Sequence, residues 1–319
     1  MSPRPATLQV LDDATRAQAP CALVVGNFDG VHRGHQSVLN EAVATARARG
    51  LSPCVLTFDP HPAAIVGTGA PPMLTTLERR AELMGELGVE RLYVRPFDPA
   101  FASWEPDRFA RDLVAGTLQA RIVVVGQSFR FGARRAGDLA LLQSLGSQLG
   151  FEVSVHATAS DARGPFSSTR VREAIAAGDM AEAAEVLGRP HMLSGAVVHG
   201  DERGRTIGVP TANLDPVPEM LPPDGVYAVR VDQVEEDGSV GPLAAGVTNI
   251  GLRPTVDGQR RTIETYVLGF AGDLYDTRLR LHVVARLREE RKFPSLDELK
   301  LQIARDCAAA REKLGVAPG

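Results

Sequence analysis

The chain has 319 residues, 44% hydrophobic and 23% charged, with a formal net charge of −4. That length exceeds what one core usually holds, so two domains are expected, and the balance of charge provides no global basic field to gather nucleic acid. No apolar stretch is long enough to span a bilayer, the N-terminus MSPRPATLQV has no signal-peptide apolar core, and three cysteines at unrelated spacings argue against both a disulfide framework and a metal motif; the expectation is a cytoplasmic protein with buried free thiols.

Residues 22–155 alternate short apolar runs with helical patterns. The run 22–28 is nearly continuous, as in a strand buried on both faces. Val38, Leu39, Ala42, Val43 and Ala46 then recur at helical spacing, and Gly50 can end that helix. Further strands are expected at 55–58, 92–94, 122–125 and 151–155, with helices near 106–115 and 138–149. Thr75 followed by Glu78 reads as a capping box for a helix through Leu87. This alternation predicts a doubly wound parallel α/β sheet. A helix is expected over 168–187. From Leu193 onward, strand-like runs near 193–199, 225–232, 243–250, 262–269 and 278–285 are separated by Gly, Pro and Asp turns, which predicts a mostly antiparallel barrel. Ser295 and Glu298 cap a last helix whose stripe is Leu296, Leu299, Ile303, Cys307 and Leu314. The domain boundary is placed near residue 188, giving domains 1–187 and 188–319.

The first strand runs into Gly26-Asn27-Phe28-Asp29-Gly30-Val31-His32-Arg33-Gly34-His35 at the start of a helix. Ligands of such sheets bind outside the carboxyl ends of the strands. Glycines let the backbone approach closely, and a helix N-terminus favours anions. His32 and His35, three apart, can serve the same phosphates. By itself this is also a tight turn with two surface histidines. No GxxxxGK[ST] or GxGxxG accompanies it. Asp59 and His61 follow the second strand, Ser128, Phe129 and Phe131 follow the fourth, and Ser168, Thr169 and Arg172 open a helix, an arrangement suited to phosphate or simply to capping. His156, His191 and His282 read as structural.

In the second half, Gly200, Gly204 and Gly208 punctuate a loop. Thr211 and Asn213 lie two apart, so an extended segment points both to one face. Their oxygens suit Mg²⁺ when phosphates complete the shell. Alone, PTAN reads as a Pro-led turn. Glu264 shares its strand face with Tyr266 and Leu268, unusual company for a solvent face; alone it still reads more readily as a solvent-facing carboxylate, and as a base it could orient or deprotonate an attacking hydroxyl.

In chain order, GNFDGVHRGHQ, TFDPHP, GQSFRFG and SSTRVREAI, then HGDERGRTIGVPTANL, PPDGVYAV, NIGLRPTV, IETYVL, DLYDTRLRL and LREERKFPSLDELKLQI, resemble the prokaryotic bifunctional riboflavin kinase/FMN adenylyltransferases from about residue 20 onward. The resemblance implies a nucleotidylyltransferase-like first domain in which Gly26, Phe28, Asp29, Gly30, His32, His35, Ser168, Thr169 and Arg172 bind ATP. Asp59, His61, Ser128, Phe129 and Phe131 would meet the flavin there. In the barrel it implies ATP on Gly200, Gly204, Gly208, Thr211 and Asn213, Mg²⁺ on Thr211 and Asn213 with the phosphates, Glu264 as base for the riboflavin 5′-hydroxyl, and flavin near Arg288 and Phe293. The implied partners are riboflavin, FMN and ATP, without nucleic acid or membrane. The chain departs from the family pattern at Ser128, Gly269 and Asp276. Two rival readings stay open on sequence: a nucleotidylyltransferase for another phosphate ester, and a sensor that binds without turnover.

Overall fold

The computed structural model describes residues 8–12, 15–67, 69–199, 209–255 and 258–317. The chain divides into two compact units, residues 1–71 with 75–167, and residues 72–74 with 168–319.

The first unit is a six-stranded parallel sheet in the order β1-β4-β3-β2-β5-β6. Its elements are β1 (Gln9–Asp12), β2 (Cys21–Val25), α1 (Arg33–Arg49), β3 (Ser52–Asp59), α2 (Pro62–Ile65), α3 (Leu77–Glu86), β4 (Arg91–Pro96), α4 (Pro99–Ala102), α5 (Pro106–Arg108), β5 (Ala120–Gly126), α6 (Leu139–Leu149) and β6 (Glu152–His156), followed by a small hairpin, β7 (Ser160–Asp161) and β8 (Gly164–Pro165). All five residues of β2 are buried. Ala22 and Val24 face α1 and α3, whereas Leu23 and Val25 face the opposite layer, with α6 and the segment Phe109–Thr117. This two-sided burial is why the sequence shows a continuous apolar run rather than alternation. The doubly wound sheet is therefore as expected. The thiols Cys21, Cys54 and Cys307 are free and buried. Cys21 is pushed well above its ordinary pKa, first by its hydrogen bond with Cys54 and then by burial.

Three local expectations are corrected. β1 was not foreseen; it pairs parallel with β4 at the sheet edge, and its four mostly exposed residues are too few to show a period. The helix expected near 106–115 continues as a π-helical segment, Phe109–Thr117, in which the Leu118 N–H donates to Leu113 O at 2.8 Å. The N-cap of α3 is Thr76, whose side chain accepts from Arg79 N, not Thr75.

The second unit opens with α7 (Ser168–Ala177) and α8 (Met180–Leu187). A single helix was expected over 168–187. Gly178 turns with φ 74°, and Asp179 caps α8 by accepting from Glu182 N. A closed barrel follows in the order β10-β13-β12-β11-β14-β9, built from β9 (His191–Val198), β10 (Ala212–Asp215), β11 (Gly225–Val234), β12 (Val240–Thr255), β13 (Gly258–Val267) and β14 (Arg278–Arg288). Neighbouring barrel strands pair antiparallel. The four-residue β10 escaped the sequence pattern through its brevity. Closure leaves no open edge. Thr248 and Thr265, both fully buried, satisfy each other inside through a hydroxyl–hydroxyl bond of 2.9 Å. The last helix, α9 (Leu296–Leu314), is capped by Ser295 as expected. It packs Cys307, Ala310 and Leu314 against Val247 and Tyr266 on the outside of the barrel. Leu296 does not join that stripe, being 62% exposed.

Candidate active sites

Strand order reverses between β2 and β5, and at the carboxyl ends of these two strands lies a cavity of about 280 Å³. Val24, Val25, Val124 and Val125 line it at the strand ends, together with Phe28, Phe129 and Phe166. His32, His35 and Ser128 supply polar groups. The structure thus brings the HRGH loop and the start of the GQSFRFG segment to one pocket, although about 95 residues separate them in sequence.

His32 is the N-cap of α1, and its Nδ1 accepts from His35 N at 3.3 Å. A neutral ring that accepts at Nδ1 carries its proton at Nε2, so His32 presents a donor. The two imidazoles stack with centroids 3.6 Å apart, and Phe28 closes on His35 edge-on at 5.0 Å. Gly34 is required here by contact, because a Cβ would lie 2.9 Å from Phe166 O and 3.0 Å from His32 Cε1. Gly30 has φ 87°, which a side chain would strain.

Behind this loop stands a buried support that the sequence reading missed. Asp29 is 6% exposed and accepts from Thr75 N at 3.0 Å, while Gly30 N donates to Thr75 Oγ1 at 2.9 Å. Thr75, read as a helix cap, therefore fixes the loop. Arg80 donates to Asn27 O at 2.9 Å. Burial pulls the Arg80 guanidinium below its ordinary pKa, against the carboxylates of Asp29 and Asp59.

The residues expected at the flavin separate. Asp59 is exposed at the end of β3, and His61 caps α2 while its Nε2 meets the Asn27 amide at 3.0 Å. Neither lines the cavity. Phe131 is 6% exposed in the core, packed against Phe109 and stacked on Phe129. Beside β3 and β4 lies an aromatic group that the sequence reading overlooked, Phe58, Phe97, Phe101 and Trp104, with Arg95 over Phe101 at 4.6 Å. Trp104 is part of it. His156, read as structural, lines the cavity.

In the second unit, Ser168 and Thr169 open α7, and Arg172 Nε donates to Pro72 O at 2.8 Å. On the barrel, Asn213 lies in register with Glu264, and Glu264 with Asn249 on the next strand. Directly opposed residues of antiparallel strands point to one face. Ala212, Thr265 and Thr248 form the neighbouring inward row, so Asn213, Glu264 and Asn249 look outward. Tyr266, two residues on, packs beneath α9. Asn249, within the NIGLRPTV segment, was not singled out from sequence. Gly200, Gly204 and Gly208 lie outside the described residues.

Arg288, expected near the flavin, makes its side-chain hydrogen bonds within the fold. Its Nε and Nη2 donate to the buried carboxylate of Asp306 at 2.8–3.0 Å, and Nη1 to Glu289 O. Its fork ties α9 to the barrel. Phe293 lies against the guanidinium groups of Arg288 and Arg291, at 5.6 and 4.9 Å. His191 Nε2–H donates to Met220 O within the fold, 2.8 Å away, and His282 pairs with Asp232 at 2.7 Å, both as read. Gly269 and Asp276 occupy positive-φ positions, 77° and 60°, in keeping with turn roles.

A family model for FAD synthetase matches residues 14–170, and one for riboflavin kinase matches residues 187–314. The chain is 43% identical to the bifunctional riboflavin kinase/FMN adenylyltransferase of Escherichia coli (strain K12), over 94% of this chain and 96% of that protein. The chain belongs to this family. The Bacillus subtilis (strain 168) member is 36% identical, with 91% of each chain covered. A solved structure from Streptococcus pneumoniae, described as a macrolide-efflux protein, superposes with a TM-score of 0.84 at 30% identity, covering 95% of this chain and 98% of that one. Among the described residues no helix is long and apolar enough to cross a membrane. Family membership gives the two pockets of residues their context: the β2/β5 cavity lies within the FAD synthetase match, and the row Asn213, Glu264, Asn249 within the riboflavin kinase match.

Proposed function

We infer that the chain makes FAD from riboflavin in two ATP-dependent steps, FMN formation on the barrel and FMN adenylylation in the first unit. The observation that carries this reading is the pairing of the two family matches with two separate groups of reactive side chains, His32/His35 at the β2/β5 cavity and Glu264 beside Asn213 on the barrel. We assign adenylylation to residues 1–187 and phosphorylation to residues 188–319.

In the first reaction, Glu264 takes the proton of the riboflavin 5′-hydroxyl as its oxygen attacks the γ-phosphorus of ATP, and ADP leaves. Asn213 and Asn249 flank the carboxylate in register on the neighbouring strands. Thr211 and Asn213 offer hard oxygen donors, which fits Mg²⁺, an ion that takes few protein ligands when phosphates complete its shell. There it would neutralise charge on the polyphosphate. In the second reaction, a phosphate oxygen of FMN attacks the α-phosphorus of another ATP, and pyrophosphate leaves. His32 Nε2–H and His35 stabilise the negative charge that builds there, and the α1 N-terminus adds its dipole. Ser168, Thr169 and Arg172 are assigned to ATP phosphates on the strength of the SSTRVR motif. Asp59 and His61 are assigned to the flavin as polar partners, and Phe58, Phe97 and Trp104 offer its ring a stacking surface at the β3 side. Buried free cysteines support a reducing, cytoplasmic setting.

Incubation with riboflavin, Mg²⁺ and ATP, followed by separation of flavins, tests the assignment. Glu264→Gln is expected to stop FMN formation while leaving FAD formation from supplied FMN, and His32→Ala to do the reverse, each by about 10²–10³-fold. Equal damage to both steps by either substitution would refute the two-site reading.

A further inference from the structure

His156 sits at the carboxyl end of β6, in register with Gly126 of β5, and lines the cavity that holds His32 and His35. Its Nδ1 lies 2.5 Å from Glu41 Oε2 on α1. The other carboxylate oxygen of Glu41 accepts from Ser154 Oγ at 3.2 Å. An ionised carboxylate only accepts, so the proton of the neutral ring is held at Nδ1. Nε2 is then a lone-pair acceptor. That atom is buried and has no hydrogen-bond partner among the described residues. An acceptor buried without a partner costs stability, and a ligand that donates to it removes the cost. The rest of the pocket is suited to an apolar-faced ring: valines at the ends of β2 and β5 and three phenylalanines line it, and its volume is about 280 Å³.

We propose that His156, held by Glu41, reads the nucleotide base in the first unit and selects a 6-aminopurine. The exocyclic amino group of adenine donates to Nε2. A 6-oxopurine would place an acceptor against an acceptor, so the pocket rejects it by leaving both groups unpaired. This inference rests on the reading that the β2/β5 cavity holds the ATP of the adenylylation step. It makes His156 a specificity residue that takes no part in the chemistry at the α-phosphorus.

The test uses the full chain, FMN as acceptor, and ATP or ITP as nucleotide, which differ at the purine 6-substituent and at the N1 proton that goes with it. For His156→Phe, the KM for ATP is expected to rise about 2- to 12-fold, the worth of one neutral hydrogen bond, with kcat and the KM for FMN unchanged. The preference for ATP over ITP is expected to fall by a similar factor. His156→Gln, whose amide oxygen can accept, is expected to restore both. FMN formation on the barrel serves as the control for folding. An unchanged KM for ATP, an undiminished ATP preference in the Phe variant, or a shift in the KM for FMN instead would overturn the proposal. Retention of FAD formation by His32→Ala would instead overturn the cavity assignment beneath it, so the two failures are distinguishable.

Discussion

Asn213 and Glu264 stand opposite each other in register on β10 and β13, so an amide and a carboxylate share the outer face of the barrel one strand apart. If the amide contributes to holding Mg–ATP beside the carboxylate, Asn213→Ala lowers kcat/KM for FMN formation by about 10- to 150-fold, the worth of one hydrogen bond to a charged group. A Mg²⁺ titration of the variant shifts to higher concentration, while FAD formation from supplied FMN is unaffected. An unchanged titration would remove Asn213 from the metal site.

Gly34→Ala tests the geometry of the histidine loop. The added methyl meets a backbone carbonyl, Phe166 O, and the His32 ring, neither of which can swing away cheaply. Overpacking of this kind costs about 1–3 kcal/mol. FAD formation is expected to fall about tenfold or more for that energy, and steady-state assays of both steps should find FMN formation intact.

Glu219 gives a pH-dependent stability effect. It is 2% exposed and accepts from the Ser194 hydroxyl and N–H at 2.6 and 3.1 Å. Burial pushes its carboxyl above the ordinary glutamate value, against these hydrogen bonds. A carboxyl with a raised folded-state pKa binds its proton more tightly in the folded chain. Its ionised form therefore costs stability at neutral pH, and the cost disappears as pH falls below the ordinary glutamate range. Glu219→Gln is expected to raise Tm at pH 7, with the gain shrinking toward about pH 4. A gain independent of pH would contradict this.

The Arg288–Asp306 pair should be worth more than a surface ion pair, since Asp306 is 5% exposed and binds the guanidinium through two nitrogens. Asp306→Asn leaves a half-buried cation uncompensated and is expected to cost about 3 kcal/mol in urea unfolding. Adding Arg288→Met should recover part of that loss, because the two residues are directly coupled.

Sequence alone determined the elements whose pattern is carried by near neighbours. The buried run of β2, the 3.6-residue stripe of α1, the Ser295 cap of α9 and five of the six barrel strands follow from local periodicity and capping chemistry. The HRGH loop and Glu264 could be singled out because each lies in a contiguous segment that resembles the family's. Tertiary structure alone decided which side chains meet. Thr75 looks like a cap until Asp29, 46 residues away, is seen to accept from it. Phe131 looks like Phe129 until the core claims it. Asn249 gains meaning only through strand register with Glu264. His156 is an ordinary histidine until Glu41, 115 residues earlier, fixes its Nδ1 and turns Nε2 into a buried acceptor. Such contacts join distant parts of the chain, and no local period or motif encodes them; they exist only once the sheet and barrel have closed.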